Sequence, residues 1–381
     1  MIMNSNLEDK NSALDPNLHV LIGHELSTFL NSGLITPGNI SSLLKNNGVY
    51  VPTKNEKTIP ILSSMILAPE TFHKMLAYVV NKEQRPKYRI GAVKLSSCST
   101  NWIDALQDNY ESLKQINCDV INNNIKYEKT LTLEIDQNNT AIMYYKLRRN
   151  HYNQDLLKRN VLVEGTIRIE KKNGKLEITS IFSSKETEEL NNILIKNMSQ
   201  YFFSEGLTEQ ESIIQIKFND FTNKERIVFF NKLVKGYKSL SSGNLEMMEV
   251  MVDPEMVDKL PDDPEIEFLK GNFKGLKTLG GEELSESFFI KKIKYYPYYF
   301  IPSMDVKYDF SDGTNHCCCT VGFFFKSVRK SYTDSVFDFF IKDLKYEKGG
   351  NIFHARRKVE LKINQEIQKM IEDIQSSTQG K

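Results

Sequence analysis

The sequence has almost no net charge. Lys and Arg total 50 against 49 Asp and Glu, which gives a formal net charge of +1. This balance excludes a uniformly basic nucleic-acid binder, but it leaves room for a local basic face, because binding depends on where the charge lies. Hydrophobic residues make up 40% and charged residues 26% of the chain, which is typical of a globular protein.

Cysteine is scarce, and its spacing is not that of a metal site. The five cysteines are an odd number without a CxxC pair, which argues against a disulfide framework and a four-thiolate zinc site. Three of them follow His316 directly, but successive side chains of a strand point to opposite faces and cannot converge on one metal. We therefore expect free thiols, no metal, no cofactor and a reducing compartment. The cysteines are Cys98, Cys118, Cys317, Cys318 and Cys319.

Long apolar runs and familiar catalytic motifs are missing as well. No stretch approaches the ~18 apolar residues of a membrane span, and residues 1–13 are polar, so we expect a cytoplasmic protein without membrane contact. The motifs GxxxxGKS/T, HExxH, GxSxG and GxGxxG are absent. A metal-dependent nuclease needs carboxylates on neighbouring strands. Asp305-Val306-Lys307 lies on a predicted strand without an evident acidic partner, and we assign no catalytic residue.

The order of helical and strand patterns predicts an α+β fold. A helical N-terminal module precedes two α+β regions with antiparallel sheets, and a C-terminal helix closes the chain. Polar and Pro- or Gly-containing stretches predict the boundaries. The expected parts are a mobile tail at 1–13, the helical module at 14–86, an α+β domain at 87–240, a linker at 241–268 and an aromatic-rich α+β domain with the C-terminal helix at 269–381.

Some single elements have clear signals. Thr36-Pro37 predicts the start of a helix, and Asn173-Gly174 predicts a type I′ hairpin turn, because both positions need positive φ. The aromatic stretch 294–301 is typical of a strand. The last helix, at about 353–375, carries one apolar stripe. This stripe either packs on its own domain or docks on a partner chain or a second copy.

Basic residues cluster at the ends of predicted elements. Tyr144, Tyr145 and Tyr152 are interleaved with one cluster, and cations beside aromatic rings suit phosphate contact with base stacking. A solvated face is the alternative interpretation of such clusters. Another cluster opens the last helix, where the dipole disfavours cations and thus suggests an anionic or acidic partner. The candidates are Lys146, Arg148, Arg149, Lys158, Arg159, Arg356 and Arg357.

Residues 36–67 contain two apolar segments joined by the link Gly48-Val49. This pattern resembles a SAP-type helical hairpin, which has a helix, a glycine-containing link and a second helix. The glycine and lysine that usually precede the second helix are replaced by Pro52-Thr53-Lys54 and Lys57. SAP modules commonly bind DNA, so the resemblance implies Lys54 and Lys57 as contacts. The matching apolar and glycine positions are Leu43, Leu44, Gly48, Val49, Ile59 and Leu62.

The SAP-like start is followed by strands, by YKLRRN (145–150) and by the hairpin VEGTIRIEKKNGKLEITS (163–180) before a helix. This arrangement, over residues 25–240, resembles the B subunit of the two-gene GAPS-type anti-phage defence systems of bacteria. In such systems the A subunit carries a nuclease-like domain, so the resemblance implies a nuclease-like partner protein.

These features together favour a non-catalytic subunit of an anti-phage defence complex. It would bind or sense DNA or RNA, act with a nuclease partner and belong to a hetero-oligomer, with self-association within that complex left open. A diverged metal-dependent nuclease and a protein-interaction scaffold without nucleic-acid contact are the alternatives.

Overall fold

The structure is a computed structural model of the chain. It describes residues 21–31, 35–72, 75, 85–97, 101–121, 124–136, 139–150, 160–241, 243–267, 275–279, 288–313, 316–327, 331–346 and 352–379.

The described residues form helices and antiparallel strands. The helices are α1 (Gly23–Asn31), α2 (Pro37–Asn46), α3 (Asn55–Ser64), α4 (Trp102–Lys114), α5 (Lys185–Ser204), α6 (Asn223–Val234), α7 (Phe288–Lys291) and α8 (Ile352–Gln379). The strands are β1 (Lys87–Lys94), β2 (Ile125–Asp136), β3 (Thr140–Asn150), β4 (Asn160–Lys172), β5 (Lys175–Phe182), β6 (Ile214–Gln215), β7 (Asn244–Val252), β8 (Gly275–Leu279), β9 (Tyr299–Ser311), β10 (His316–Phe325) and β11 (Phe337–Tyr346). These elements confirm the predicted α+β class.

The chain divides into two compact units that each draw on several segments. The first unit contains residues 1–85, 101–167 and 182–198. The second contains residues 86–100, 168–181 and 199–381. This division differs from the domain boundaries expected from the sequence, because distant segments pair within one sheet.

The N-terminal part of the first unit has a small hydrophobic core of its own. Helix α3 packs against α1 and α2, and Leu26, Ile40 and Leu62 are fully buried between them. Thr36 caps α2, since its hydroxyl oxygen accepts the backbone N–H of Asn39 at 3.2 Å. The predicted start of this helix is therefore confirmed.

The rest of the first unit joins strands β2 and β3 and the first part of β4 to helices α4 and α5. Strands β2 and β3 pair antiparallel, with Ile125 opposite Arg149. The buried Tyr145 of β3 places its hydroxyl 2.8 Å from Asn191 Oδ1 and 3.0 Å from the carbonyl oxygen of Thr187, both on α5. Helix α4 has no counterpart among the elements predicted from the sequence.

The second unit is built on a sheet of strand order β5-β1-β11-β10-β9-β7-β8, with the short β6 beside β1. Its core is aromatic: Tyr308, Phe323 and Phe339 are fully buried. Helices α6 and α8 contribute to the same core through residues such as Phe230 and Ile367. The apolar stripe of the last helix thus packs within its own unit.

One hairpin turn and one aromatic stretch test the local predictions. Asn173 and Gly174 have φ values of 48° and 72°, which confirms the predicted hairpin turn. Residues 294–301 were expected as a strand, but Ile293–Tyr298 form a 3-10 helix and the strand begins only at Tyr299. Pro297 has no N–H for a sheet ladder, which explains the late start.

The segment expected as a linker is structured in its described part. Strand β7 occupies Asn244–Val252 and pairs with β8 and β9. The acidic residues that follow form turns, and Ile266 among them is fully buried in the core of the second unit. Within the described part of the chain, no helix is both long and apolar enough to span a membrane.

Candidate nucleic-acid interface

The start of α3 presents two lysines to solvent. Lys54 is the N-cap residue and has no side-chain capping hydrogen bond, and Lys57 lies one turn further on. Both side chains are exposed. An uncapped helix N-terminus points backbone N–H groups outward and carries partial positive charge, so it is suited to a phosphate group. The lysines add full charges at the same place.

An exposed aromatic ring lies in the link that leads to this helix. Tyr50 is 78% exposed, whereas Leu43 and Leu44 in the preceding helix are buried. An exposed tyrosine near lysines can stack on an unpaired base. Tyr50 was not among the residues predicted from the sequence, where it stands out only as a tyrosine between Gly48 and Lys54.

The basic residues of β3 are held in ion pairs. Lys146 Nζ lies 2.5 Å from Glu164 Oε1, and Arg148 Nε lies 2.8 Å from Glu128 Oε2. The hydrogen bond from Arg148 lowers the pKa of Glu128 below its ordinary value. Both cations lie on the solvent side of the strand, because side chains alternate between the faces.

Arg149 is the least accessible of the three. Its Nη1 lies 3.1 Å from Glu186 Oε1, and the two side chains are only 19% and 17% exposed. The pair joins the end of β3 to the first turn of α5. Its position favours a structural role over a phosphate contact, since a partly buried ion pair resists separation.

A cation on an aromatic ring lies beside these pairs. Lys129 Nζ lies 4.3 Å from the centroid of the Tyr144 ring and 2.8 Å from its hydroxyl oxygen. Lys146 and Lys129 are opposite each other in the register of β2 and β3. This face therefore combines basic and aromatic groups with compensating glutamates.

No described contact places the remaining basic candidates on the face of β2 and β3. Lys158 and Arg159 lie outside the described residues. Arg356 and Arg357 belong to the N-terminal part of α8, in the second unit, and their side chains lie outside the described part.

The cysteine-rich strand is a packed strand with free thiols. Cys317 and Cys319 are buried, Cys318 is half-buried and His316 is exposed. Burial raises the pKa of Cys317 to about 11 and that of Cys319 further. Among the residues that the structure describes, no group of three His, Cys, Asp or Glu side chains could hold a metal ion.

Comparison with known proteins gives a family match for the N-terminal module. Residues 24–85 match the family model described as the GAPS4b protein N-terminal domain. This segment of the chain is similar to that N-terminal domain. This confirms the predicted resemblance to the B subunit of a GAPS-type defence system, and it supports a defence role together with a partner protein. The matched range includes Tyr50, Lys54 and Lys57, whereas residues 86–381 lie outside the match.

Other comparisons add little to the GAPS4b match. No curated protein matches the chain. Among the solved structures that match, DynU16 from the dynemicin biosynthetic locus covers 67% of this chain and 86% of its own at 5% identity. Its TM-score of 0.17 is too low to support any argument about fold or function.

Proposed function

We propose that the protein is a non-catalytic, nucleic-acid-binding subunit of an anti-phage defence complex and acts with a nuclease-like partner. The family match supports the defence role, and the helix end at Lys54 and Lys57 supports the binding role. DNA or RNA would contact the protein first through a phosphate at this helix end, with Tyr50 as a stacking group.

The observation that carries the proposal is the coincidence of three groups in one short segment. Lys54 and Lys57 are exposed, the helix they begin has no side-chain cap, and Tyr50 is 78% exposed. Among the described residues, no carboxylate forms an ion pair with Lys54 or Lys57. Each phosphate contact of this kind releases counterions from the nucleic acid, which makes binding sensitive to salt.

The solvent face of β3 would provide a second set of phosphate contacts, after those of Lys54 and Lys57. Lys146 and Arg148 are each bound to a glutamate, so a phosphate would have to displace that carboxylate. Such exposed pairs are weak, about 0–1 kcal/mol, and the exchange costs little. Arg149 is expected to stay with Glu186.

The test is a measurement of binding to a short oligonucleotide over a range of salt concentrations. The double variant Lys54→Glu/Lys57→Glu should bind at least about tenfold more weakly, and the slope of log K against log salt should fall by about two. Lys185→Glu/Lys196→Glu on α5 makes the same charge change at exposed positions and is the matched control.

An equal loss of affinity in both double variants would contradict the assignment of Lys54 and Lys57 to the interface. That result would indicate a general charge effect. Measurements with single-stranded DNA, duplex DNA and RNA separate the classes of target. A loss for Tyr50→Ala confined to single-stranded targets would assign base stacking to this residue.

A protein-interaction scaffold is the second candidate. It is favoured by two apolar side chains of the same module, since Ile22 is 58% and Ile66 is 92% exposed. If the intact protein binds no oligonucleotide at low salt but co-purifies with the product of a neighbouring nuclease-like gene, the scaffold is the better description.

A further inference from the structure

The solvent face of β2 and β3 places like charges directly opposite each other. In the register of the two strands, Lys126 is opposite Arg148, and Lys129 is opposite Lys146. Cross-strand neighbours of like charge destabilise a sheet, so these two pairs favour an anion beside them. We call these four cations the basic patch.

Two glutamates of the same unit supply part of this negative charge. Glu128 Oε2 lies 2.8 Å from Arg148 Nε, and Glu164 Oε1 lies 2.5 Å from Lys146 Nζ. The four side chains are between 39% and 59% exposed. Solvent therefore screens both pairs, and a competing anion can reach the cations.

The other two cations of the basic patch have no such partner. Lys126 and Lys129 are exposed, and no carboxylate of the described residues forms an ion pair with either lysine. The ammonium group of Lys129 lies 4.3 Å from the centroid of the Tyr144 ring instead. Within the described part of the chain, the basic patch therefore keeps two positive charges that no ion pair compensates.

We propose that the basic patch binds the backbone of a single-stranded nucleic acid, and that Glu128 and Glu164 compete with the backbone for it. This inference rests on the proposed function, since it specifies one surface of the nucleic-acid interface and what limits its affinity. Carboxylates and phosphates accept the same charge-assisted hydrogen bonds from Arg and Lys, so each glutamate holds a place that a phosphate takes in the complex. Lys126 and Lys129 would attract the strand first, because no carboxylate has to leave them.

The arrangement favours an unpaired strand over a duplex. Lys146 and Arg148 are two residues apart on β3, so the cations follow the direction of the strand and suit the backbone of an extended polyanion. Tyr144 lies on the same face of β3, and its hydroxyl accepts a hydrogen bond from the Lys129 ammonium at 2.8 Å. When a phosphate draws this ammonium away, the ring can stack on an unpaired base. The bases of a duplex are already stacked on each other and cannot reach it.

The test is fluorescence anisotropy of a labelled oligothymidylate with the full chain. The double variant Glu128→Gln/Glu164→Gln removes both carboxylate charges with little change of shape. Its affinity for the strand should exceed that of the original protein about fivefold or more, because each exposed ion pair accounts for up to about fivefold in affinity. If the two glutamates only stabilise the sheet, their loss should leave the affinity unchanged or lower it.

Single variants separate competition from the general effect of charge. Glu134 is exposed on the same strand as Glu128 and is opposite Ile142 rather than a cation. At physiological ionic strength, where distant charges are screened, Glu134→Gln should change the affinity by less than about twofold. Glu128→Gln should raise it about threefold or more. Lys126→Glu/Lys129→Glu should weaken binding about tenfold.

The outcomes separate this inference from the proposed function. If the original protein binds the strand and the double glutamine variant binds no more tightly than Glu134→Gln, the competition is overturned and the proposed function stands. Binding by the double glutamine variant alone supports the inference, whereas a folded protein and variant that both bind nothing at any salt concentration overturn both. Tighter binding of duplex than of single-stranded DNA by the double glutamine variant would contradict an unpaired strand as the ligand. Circular dichroism shows that each variant is folded.

Discussion

Arg89 and Asp338 face each other across β1 and β11 and form a two-pronged ion pair. The Nε–Oδ1 distance is 2.8 Å and the Nη2–Oδ2 distance is 2.9 Å. Asp338 is fully buried and the Arg89 side chain is 8% exposed. A buried pair of this geometry holds two segments that are distant in sequence in one register.

We expect the loss of one partner of this pair to be costly. Asp338→Asn keeps the shape of the side chain but leaves the buried guanidinium without a countercharge, and ~3–5 kcal/mol of unfolding free energy should be lost. The double variant Arg89→Met/Asp338→Leu should recover most of it, because an apolar pair needs no compensation. Urea denaturation measures both; equal losses in the single and the double variant would speak against charge as the cause.

A second expectation concerns the contact between Gly165 and Tyr145. A Cβ at Gly165 would lie 2.2 Å from Tyr145 Oη, and that hydroxyl is held by Asn191 and Thr187. Gly165→Ala should therefore destabilise the protein by ~1–3 kcal/mol through overpacking. In the background Tyr145→Leu, the same change should cost much less, since the two sites interact. Additive losses in a thermal denaturation series would contradict this contact.

Local signals in the sequence predicted local structure well. Thr36 and the pair Asn173-Gly174 set their caps and turns through contacts with residues close in sequence. The alternation of burial along His316 to Cys319 followed from strand geometry alone. The family resemblance likewise rested on one short module, residues 24–85.

Features that depend on distant segments could not be read from the sequence. The pair Arg89–Asp338 joins positions 249 residues apart, and Arg148 finds Glu128 only when β2 and β3 pair. The sequence shows where the basic residues cluster, but it does not show which glutamates form ion pairs with them. Gly322 meets Asp305 on β9 and Phe340 on β11 only through strand pairing, which no local sequence pattern predicts.

The last helix provides a third expectation. Ile367 is fully buried in the core of the second unit, whereas Leu361 on the same helix is 46% exposed. Ile367→Ala should cost ~2–5 kcal/mol by leaving a cavity, and Leu361→Ala should change stability by less than ~0.5 kcal/mol. A chain truncated after Gly350 should fail to fold. A soluble, folded truncated chain that only lost a partner would show that the helix is an assembly device.

A carboxyl group on this helix makes stability depend on pH. Glu372 lines a cavity of about 280 Å³ with Glu177 and Lys172, and Lys172 Nζ lies 2.6 Å from Glu177 Oε2. Burial raises the pKa of Glu372 to about 7, and the charge of Glu177 and a hydrogen bond to it act in the same direction, against the opposing effect of Lys172. The folded protein thus favours the protonated form.

The sign of the pH effect follows from this shift. In the unfolded chain Glu372 has a pKa of ~4.3, so between that value and about 7 the folded state binds more protons than the unfolded state. Stability from this group is present in full below the unfolded pKa, and it falls as the pH rises to about 7. Glu372→Gln mimics the protonated form, so the gain in Tm of the variant over the original protein should be small at pH 5, close to the unfolded pKa, and larger at pH 8 by at least ~2 °C. Asp373→Asn, an exposed neighbour, makes the same charge change and should leave the pH slope as it is. Thermal denaturation at five pH values from 5 to 8 measures this, and parallel curves for the original protein and Glu372→Gln would show that the Glu372–Glu177 contact does not couple folding to protons.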